Sequence, residues 1–144
     1  MRIVTALFIT LIMAGPADAR PPVPGPVRAT IINVYDGDTM TVDAHPWPQI
    51  TLRVSVRIQG IDTPELRRSH CLDEKTLALA AKEQLISLVG DEVLLSDIFL
   101  GKYAGRVIAH VATSDGTDIG RAMIEKGFAV PYDGGARRNW CAAG

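Results

Sequence analysis

Apolar and polar side chains alternate along residues 50–58, a run of nine positions that ends at Arg57 and Ile58. Alternation with a period of two predicts a β-strand with one face in the core and the other face outside it. The residues expected in the core are Ile50, Leu52, Val54, Val56 and Ile58. Arg57 is therefore expected to point away from the core.

Four further strands are predicted from shorter runs that are rich in β-branched residues. Residues 29–34 and 39–42 flank an Asp-Gly dipeptide, which is typical of a hairpin loop. Residues 92–97 and 106–113 form the other two runs, and a Ser-Asp-Gly turn follows the second of them. The N-terminal pair is expected to form a hairpin.

Two helices are predicted from apolar positions at helical spacing. The first is expected to be capped by Asp73 and to end at Gly90, and the second to run from a cap at Asp118 through Lys126, with Gly127 as its stop. The residues expected to face inward are Leu77, Ala81, Leu85 and Leu88 in the first helix and Ile119, Ala122 and Met123 in the second.

Five strands and two helices, with a helix inserted after the third strand, predict a mostly β, α+β fold. This order suits a small closed barrel with antiparallel strands. The chain is long enough for one such domain with a usable core.

The N-terminus has the features of a secretory signal. Arg2 precedes an apolar stretch at 3–14, and the small residues Ala17 and Ala19 follow. The apolar stretch is shorter than the roughly 20 residues of a membrane span, so a retained anchor is the minority alternative. We expect a signal peptide at 1–19, a proline-rich linker at 20–26 and one domain at 27–144. The mature protein is expected to be exported to the periplasm or medium, free of the membrane and monomeric.

The net charge bears on nucleic-acid binding, and the cysteine content bears on a disulfide or a metal site. The formal net charge is −1, so any nucleic-acid binding must come from a local basic patch. The cysteines are Cys71 and Cys141, and in an exported chain a disulfide is the default expectation. Zinc binding is the less favoured alternative, because only His70 lies near a cysteine in sequence.

Three acidic side chains stand next to predicted strand ends: Asp38, Asp62 and Glu65. Convergence of these charges would require a cation among them. Oxygen ligands from loops suit Ca²⁺, which accepts irregular geometry. Arg57 and Arg106 are candidate phosphate clamps, because a guanidinium offers two parallel donors to a phosphoryl group.

The order of these motifs resembles the staphylococcal-nuclease-like family, also called thermonucleases. Asp-Gly-Asp-Thr at 36–39, Arg57, Asp-Thr-Pro-Glu at 62–65, Lys102-Tyr103 and then Gly-Arg at 105–106 occur in the order seen in that family. The resemblance runs from about residue 28 to residue 132. It implies an OB-fold barrel, usually with a third, C-terminal helix. Since only four residues follow Trp140, we expect that helix to be absent. We expect a Cys71 to Cys141 bridge to hold the tail against the first helix instead.

The resemblance also implies roles for individual residues. It implies that Ca²⁺ is held by the side chains of Asp38 and Asp62 and by the backbone carbonyl of Thr63. It implies Glu65 as the general base that activates water, and a substrate-binding set of Lys102, Tyr103 and Tyr132. The pairs Arg67-Arg68 and Arg137-Arg138 are candidates for a positive rim around the site.

Two positions depart from the family pattern. Gly101 stands where the family commonly carries an aspartate, and Ala104 is an additional residue between Tyr103 and Gly105. The first change is expected to weaken Ca²⁺ binding and the second to shift Arg106.

The sequence therefore predicts an exported, Ca²⁺-dependent nuclease that hydrolyses phosphodiester bonds of DNA and RNA, preferably single-stranded, with low sequence specificity. One alternative is a binding module on the same barrel with weak or no turnover. Another is a structural periplasmic domain that binds a protein or cell-wall partner.

Overall fold

The computed structural model describes residues 21–141. The predicted signal peptide at 1–19 lies outside them. The strands are β1 (Val27–Val34), β2 (Thr39–Trp47), β3 (Ile50–Ile58), β4 (Ile61–Asp62), β5 (Glu92–Leu100), β6 (Arg106–Ala112) and β7 (Val130–Pro131). The helices are α1 (Leu72–Val89) and α2 (Ile119–Glu125). In the described part of the chain, neither helix is long and apolar enough to cross a membrane.

Five strands close a barrel in the order β1-β2-β3-β6-β5, and β4 pairs with β7 in a separate two-stranded sheet. The mostly β fold with two helices and an OB-type barrel is confirmed. The prediction that all barrel strands are antiparallel was wrong, because β3 and β6 pair in parallel. A closed ring with an odd number of strands cannot alternate in direction all the way round, so one pair must be parallel.

The alternating strand β3 enters the core only with its C-terminal half. Val56 and Ile58 are buried, whereas Ile50 is 46% and Leu52 is 52% exposed. The pairing of β3 with β6 begins at Ser55 and ends at Ile58. The first half of β3 therefore extends past the barrel with β2, and its apolar residues have no core to face.

Helix α1 begins two residues earlier than predicted. Its N-cap is Cys71, whose Sγ accepts a hydrogen bond from the backbone N–H of Glu74 at 3.4 Å. Asp73 lies in the first turn, so its predicted capping role was wrong.

The buried face of α1 also differs from the predicted stripe. Ala81 and Leu85 are buried as expected, but Leu77 is 45% exposed and Leu88 is only partly buried. The face that meets the barrel instead contains Glu74, Ala78, Ala81, Leu85 and Val89. Leucine at helical spacing did not identify this face, because small alanines allow the closer approach to the barrel.

Helix α2 agrees more closely with the prediction. The side chain of Asp118 caps it by accepting from the backbone N–H of Arg121 at 2.9 Å. Ile119 and Met123 are fully buried. Gly127 follows the helix with a φ of 79°, a conformation that favours glycine.

The first hairpin is confirmed, with residues 35–38 as its loop between β1 and β2. Gly37 is required in this loop for space. A Cβ at Gly37 would lie 2.7 Å from the Cβ of Ala81 and 3.0 Å from the Cβ of Thr63. The absence of a side chain therefore brings the acidic hairpin loop against α1 and against the loop that follows β4.

Both ends of the described chain are attached to the barrel domain. Val23, in the predicted linker, exchanges two backbone hydrogen bonds with Ile98 of β5, at 2.9 and 2.8 Å. A disulfide joins Cys71 to Cys141, as predicted, and so fixes the tail to the N-terminus of α1. Residues 132–141 contain no helix.

Candidate functional site

A cavity of about 630 Å³ opens beside the barrel between the hairpin loop, the loop after β4 and the turn between β5 and β6. It brings together every predicted catalytic and substrate-binding residue: Arg57, Glu65, Lys102, Tyr103, Arg106 and Tyr132. Arg67, Arg68 and Arg137, three of the four arginines predicted for a positive rim, also line it. Arg57 and Arg137, which are 80 positions apart in the sequence, thus share one cavity.

The predicted metal ligands are buried beneath the loops that form this cavity. Asp38, Asp62 and Thr63 have exposed fractions of 1%, 0% and 1%. The backbone carbonyl of Asp38 accepts from Ile58 N–H at 2.8 Å. Asp62 lies in β4, which is held in place by its pairing with β7. Backbone hydrogen bonds to neighbouring strands therefore fix the positions of both aspartates.

Arg57 lies between the buried aspartates and the cavity. Its Nη1 donates to Asp38 Oδ1 at 2.8 Å, and its Nη2 is 3.7 Å from Asp62 Oδ1. The hydroxyl of Thr39 also donates to Asp38 Oδ1, at 2.8 Å. These contacts fix the orientation of the guanidinium while leaving its side chain 21% exposed towards solvent.

Two buried oxygens near these residues have no hydrogen-bond partner within residues 21–141: Asp38 Oδ2 and Thr63 Oγ1. An unpaired buried polar atom costs about 1–3 kcal/mol. The arrangement of Asp38 leaves one carboxylate oxygen free while the other is used by Arg57 and Thr39. A free carboxylate oxygen with a second carboxylate and a carbonyl nearby suits a hard cation such as Ca²⁺.

The guanidinium of Arg137 lies among these same oxygens. It donates from Nε to Asp62 Oδ1 at 2.6 Å, from Nη2 to the Thr63 carbonyl at 3.0 Å, and from Nη1 to Glu65 Oε1. Burial by itself lowers the pKa of Arg137, but the hydrogen bonds to Glu65 and Asp62 outweigh it and raise the pKa above its usual value. Sequence reasoning had placed Arg137 only on the rim.

The tail residues that follow Arg137 make further contacts at this site. Trp140 donates from its indole Nε1 to Asp62 Oδ2 at 3.2 Å, and the guanidinium of Arg138 lies 4.6 Å from the centroid of the Trp140 ring. Cys141 follows with its disulfide. Sequence reasoning gave Trp140 no role; the signal available was a tryptophan next to a cysteine in an otherwise polar tail.

The donor chemistry at this site fits Ca²⁺, although its oxygens are not gathered around one point. Among the described residues, three metal-ligating side chains come within 4.8 Å of one another only at Cys71, Glu74 and Cys141. Both sulfurs of that group form the disulfide, so the zinc alternative is contradicted. Asp38, Asp62 and Glu65 form no such group, because Arg57 and Arg137 lie between their carboxylates.

Asp36 is a further acidic group that sequence reasoning did not assign. It lines the cavity, is 7% exposed, and accepts from the backbone N–H of Asp38 at 3.2 Å. Burial, followed by the charge of Asp38, raises the pKa of Asp36 to about 7. The sequence signal that could have identified Asp36 is its position in the Asp-Gly-Asp-Thr motif.

Glu74 organises the loop that carries Glu65. It is 3% exposed, and its carboxylate accepts from the backbone N–H of Glu65 at 3.2 Å and of His70 at 2.6 Å. Sequence reasoning missed this residue, because a glutamate in the first turn of a helix usually faces solvent.

The turn between β5 and β6 explains both departures from the family pattern. The N–H of Gly101 donates to the Arg106 carbonyl at 2.8 Å, and the N–H of Arg106 donates to the Tyr103 carbonyl at 3.2 Å. A Cβ at Gly101 would lie 2.8 Å from the Arg106 carbonyl oxygen. The turn that accommodates Ala104 therefore excludes a side chain at position 101. Arg106 still reaches the cavity, with its guanidinium 5.7 Å from the centroid of the Tyr103 ring.

Tyr132 reaches the cavity from the segment that follows β7. Its N–H donates to the Gly60 carbonyl at 2.9 Å, and its hydroxyl donates to the Gly135 carbonyl at 3.0 Å. Both contacts fix the position of the ring at the cavity wall.

Comparison with known proteins identifies the family. No curated protein sequence matches the chain. The model of the family described as staphylococcal nuclease homologue matches residues 55–139, which include the cavity residues from Arg57 to Arg137 but not Asp38. Because this match covers more than half of the 144 residues, the chain belongs to the staphylococcal nuclease homologues and is a nuclease-type or nucleic-acid-binding module.

Proposed function

We propose that this protein is an exported, Ca²⁺-dependent nuclease that hydrolyses phosphodiester bonds of DNA and RNA. The observation that carries the proposal is the meeting of Arg57, Glu65 and Arg106 in one cavity, directly above two buried aspartates. We expect a preference for single strands and little base specificity, since the groups in the cavity address mainly phosphate.

Glu65 is proposed as the general base. Its carboxylate is 29% exposed and lines the cavity, so a water molecule can reach it. Such a base contributes roughly 10²–10⁴ in rate when it is within hydrogen-bonding reach of the attacking water.

Arg57 and Arg106 are proposed as the two clamps on the scissile phosphate. Each guanidinium can donate two parallel hydrogen bonds to phosphoryl oxygens, whose charge must be stabilised in the transition state. The contact of Arg57 with Asp38 uses Nη1, so its remaining donors are available to a substrate that lies in the cavity.

Three further side chains are proposed to position the substrate. Lys102 and Tyr103 lie together on the turn before β6 and are both exposed, as a pair that holds a terminal phosphate must be. The ring of Tyr132 is proposed to stack on a base, an interaction that every base permits.

The residues that would hold Ca²⁺ are Asp38 and Asp62 through their carboxylates and Thr63 through its carbonyl. Bound there, Ca²⁺ would act as a Lewis acid on a phosphate oxygen and as a template for the substrate. The unpaired Asp38 Oδ2 and the all-oxygen donor set support this assignment.

We propose that residues 1–19 are a signal peptide, that residues 20–26 lead into the domain at 27–144, and that the mature protein is a monomer in the periplasm or medium. The disulfide between Cys71 and Cys141 supports an oxidising location.

The testing experiment is degradation of a single-stranded oligonucleotide by oxidised protein that begins at Arg20, with Ca²⁺ and with a chelator in parallel. Cleavage that disappears with the chelator supports the proposal. Cleavage that persists in chelator contradicts Ca²⁺ dependence, and folded protein that cleaves nothing contradicts the nuclease assignment.

Nucleic-acid binding without turnover is the second candidate function. The observation in its favour is the ion pair between Arg137 and Glu65, which neutralises the proposed base. Retained oligonucleotide binding together with no cleavage under any Ca²⁺ concentration would favour this function.

A further inference from the structure

A second cavity, of about 380 Å³, continues from the site cavity along the outside of helix α1. Tyr35 and Arg67 line both cavities, and the guanidinium of Arg67 lies 5.7 Å from the centroid of the Tyr35 ring. The remaining lining residues of the second cavity are Asn33, Leu66, Lys75 and Lys82. Its wall therefore carries three cations and no carboxylate.

The two lysines lie on one face of α1. They are seven residues apart, which corresponds to two helical turns and about 10.5 Å along the axis. Within residues 21–141, Lys75, Lys82 and Arg67 form no ion pair, whereas Arg53 and Arg121 are paired with carboxylates. The positive charge of this surface is thus left uncompensated in a chain of net charge −1.

We propose that a single-stranded nucleic acid bound at Arg57 and Arg106 continues past Tyr35 and Arg67 onto α1, where Lys75 and Lys82 contact its phosphates. This proposal rests on the proposed function and extends its substrate path. It explains how a nearly neutral protein gains affinity for a polyanion, since phosphate contacts dominate such binding.

The test is the salt dependence of binding of a fluorescent 20-nucleotide single strand to oxidised protein in chelator, which prevents Ca²⁺-dependent cleavage. The double variant Lys75→Gln/Lys82→Gln is compared with Lys126→Gln, an exposed lysine beside α2 that lies in neither cavity. Loss of two phosphate contacts lowers the slope of log K against log salt by about 1.4, at about 0.7 per contact for single strands. The control variant is expected to keep the parent slope.

Cleavage of a dinucleotide, which is too short to extend onto α1, is expected to be unchanged in the double variant. An unchanged salt slope in that variant would overturn this binding surface and leave the nuclease proposal intact. If the parent protein binds no oligonucleotide in chelator, this binding surface is overturned, and cleavage in the presence of Ca²⁺ decides the nuclease proposal separately. Binding is measured apart from turnover, so a protein that binds but does not cleave still decides the role of the surface.

A different observation, the position of Arg137, carries a second inference. Three of its guanidinium donors are used on Asp62, Thr63 and Glu65, which are two proposed metal ligands and the proposed base. A guanidinium and Ca²⁺ cannot occupy the same carboxylate oxygen, since two cations at such a distance repel each other.

We infer that Arg137 is an intramolecular competitor of Ca²⁺, and that the disulfide strengthens this competition. Cys141 lies four residues after Arg137 and is joined to Cys71 at the start of α1. A short tether at each side of Arg137 keeps its effective concentration at the acids high. Reduction of the disulfide frees the C-terminal side of this tether, so Arg137 is released more easily and Ca²⁺ binds more tightly.

The test is Ca²⁺ titration calorimetry on oxidised parent protein, Arg137→Gln and Arg138→Gln. Arg138 is a matched control, because it lies over Trp140 and makes no ion pair with the described acids. Removing hydrogen bonds to charged groups is expected to tighten Ca²⁺ binding on the order of tenfold in Arg137→Gln and not in Arg138→Gln. Reduction is expected to tighten binding in the parent and to have little effect in Arg137→Gln. Thermal unfolding of each variant establishes that it is folded.

Equal Ca²⁺ affinity in the parent and Arg137→Gln would overturn this inference, and so would weaker binding in Arg137→Gln, which would make Arg137 a support of the site. If neither protein binds Ca²⁺, the competition and the Ca²⁺ dependence are both overturned. Ca²⁺-dependent cleavage with equal affinities in the two proteins would overturn the competition alone.

Discussion

Arg57 donates a hydrogen bond from Nη1 to Asp38 Oδ1 at 2.8 Å, so a proposed phosphate clamp is held by a proposed metal ligand. The aspartate is buried, and the arginine is the cation nearest to it among its described contacts. The two proposed roles are therefore coupled, because a change in either residue alters the charge balance of the other.

Replacement of Arg57 by alanine is expected to impair binding and turnover together and to destabilise the fold. It leaves Asp38 buried without its cation, and removing one partner of a buried ion pair costs about 3–5 kcal/mol. Urea unfolding in chelator measures the stability, and oligonucleotide binding and cleavage measure the function. Arg53→Ala, which breaks an exposed pair with Asp43, is the control and is expected to leave all three unchanged. Unchanged stability in Arg57→Ala would contradict the coupling.

Replacement of Glu65 by glutamine is expected to keep nucleotide binding and to lower kcat by roughly 10²–10⁴, because an amide cannot take a proton from water. Fluorescence anisotropy gives the binding constant, and single-turnover cleavage gives the rate. Glu83→Gln, at an exposed position on α1, serves as the control and should behave like the parent. Full activity in Glu65→Gln would remove Glu65 from its proposed role.

Glu74 is expected to be a positioning residue for Glu65. In Glu74→Ala, two backbone N–H groups lose their acceptor. Each loss is expected to lower the free energy of unfolding by about 1–3 kcal/mol where the N–H group is buried. We expect lower stability by urea unfolding and a lower kcat, with little change in KM, since Glu65 loses its fixed position. Glu83→Ala on the same helix is the matched control. A normal kcat in a destabilised but folded variant would limit Glu74 to a structural role.

Removal of the disulfide is expected to cost about 4 kcal/mol of stability, because it closes a long loop in the unfolded chain. The variant Cys71→Ser/Cys141→Ser isolates this effect, since serine at position 71 can still cap α1. Urea unfolding of this variant should match that of the reduced parent. A loss below about 1 kcal/mol would show that the bridge does not restrict the unfolded chain as the loop model assumes.

Restoring an aspartate at position 101 is expected to lower cleavage instead of raising it. A Cβ there would lie 2.8 Å from the Arg106 carbonyl oxygen, so the turn and Arg106 must move. Deleting Ala104 in the same chain is expected to recover activity, because the shorter turn removes the need for glycine. Cleavage rates of Gly101→Asp with and without Ala104 test this. Higher activity in the single variant would contradict the geometric explanation.

The sequence by itself determined the five barrel strands, the two helices and most of the candidate site. Alternation along 50–58 and the β-branched runs predicted the strands, because each strand records its own buried face in its pattern. The acidic and basic motifs predicted Asp38, Asp62, Arg57 and Glu65 as one group, and the structure brings them together. Local patterns sufficed here, because each of these residues lies within or directly beside a strand or turn that the pattern predicts.

The tertiary structure alone decided which distant residues complete these local patterns. The parallel pairing of β3 with β6 follows from closing five strands, and the exposure of Leu77 follows from how α1 meets the barrel. Arg137 reaches Asp62 across 75 residues of sequence, and no periodicity records that contact. A charged residue in an irregular tail carries no local sign of its partner, so only the folded chain shows that Arg137 neutralises the acids of the site.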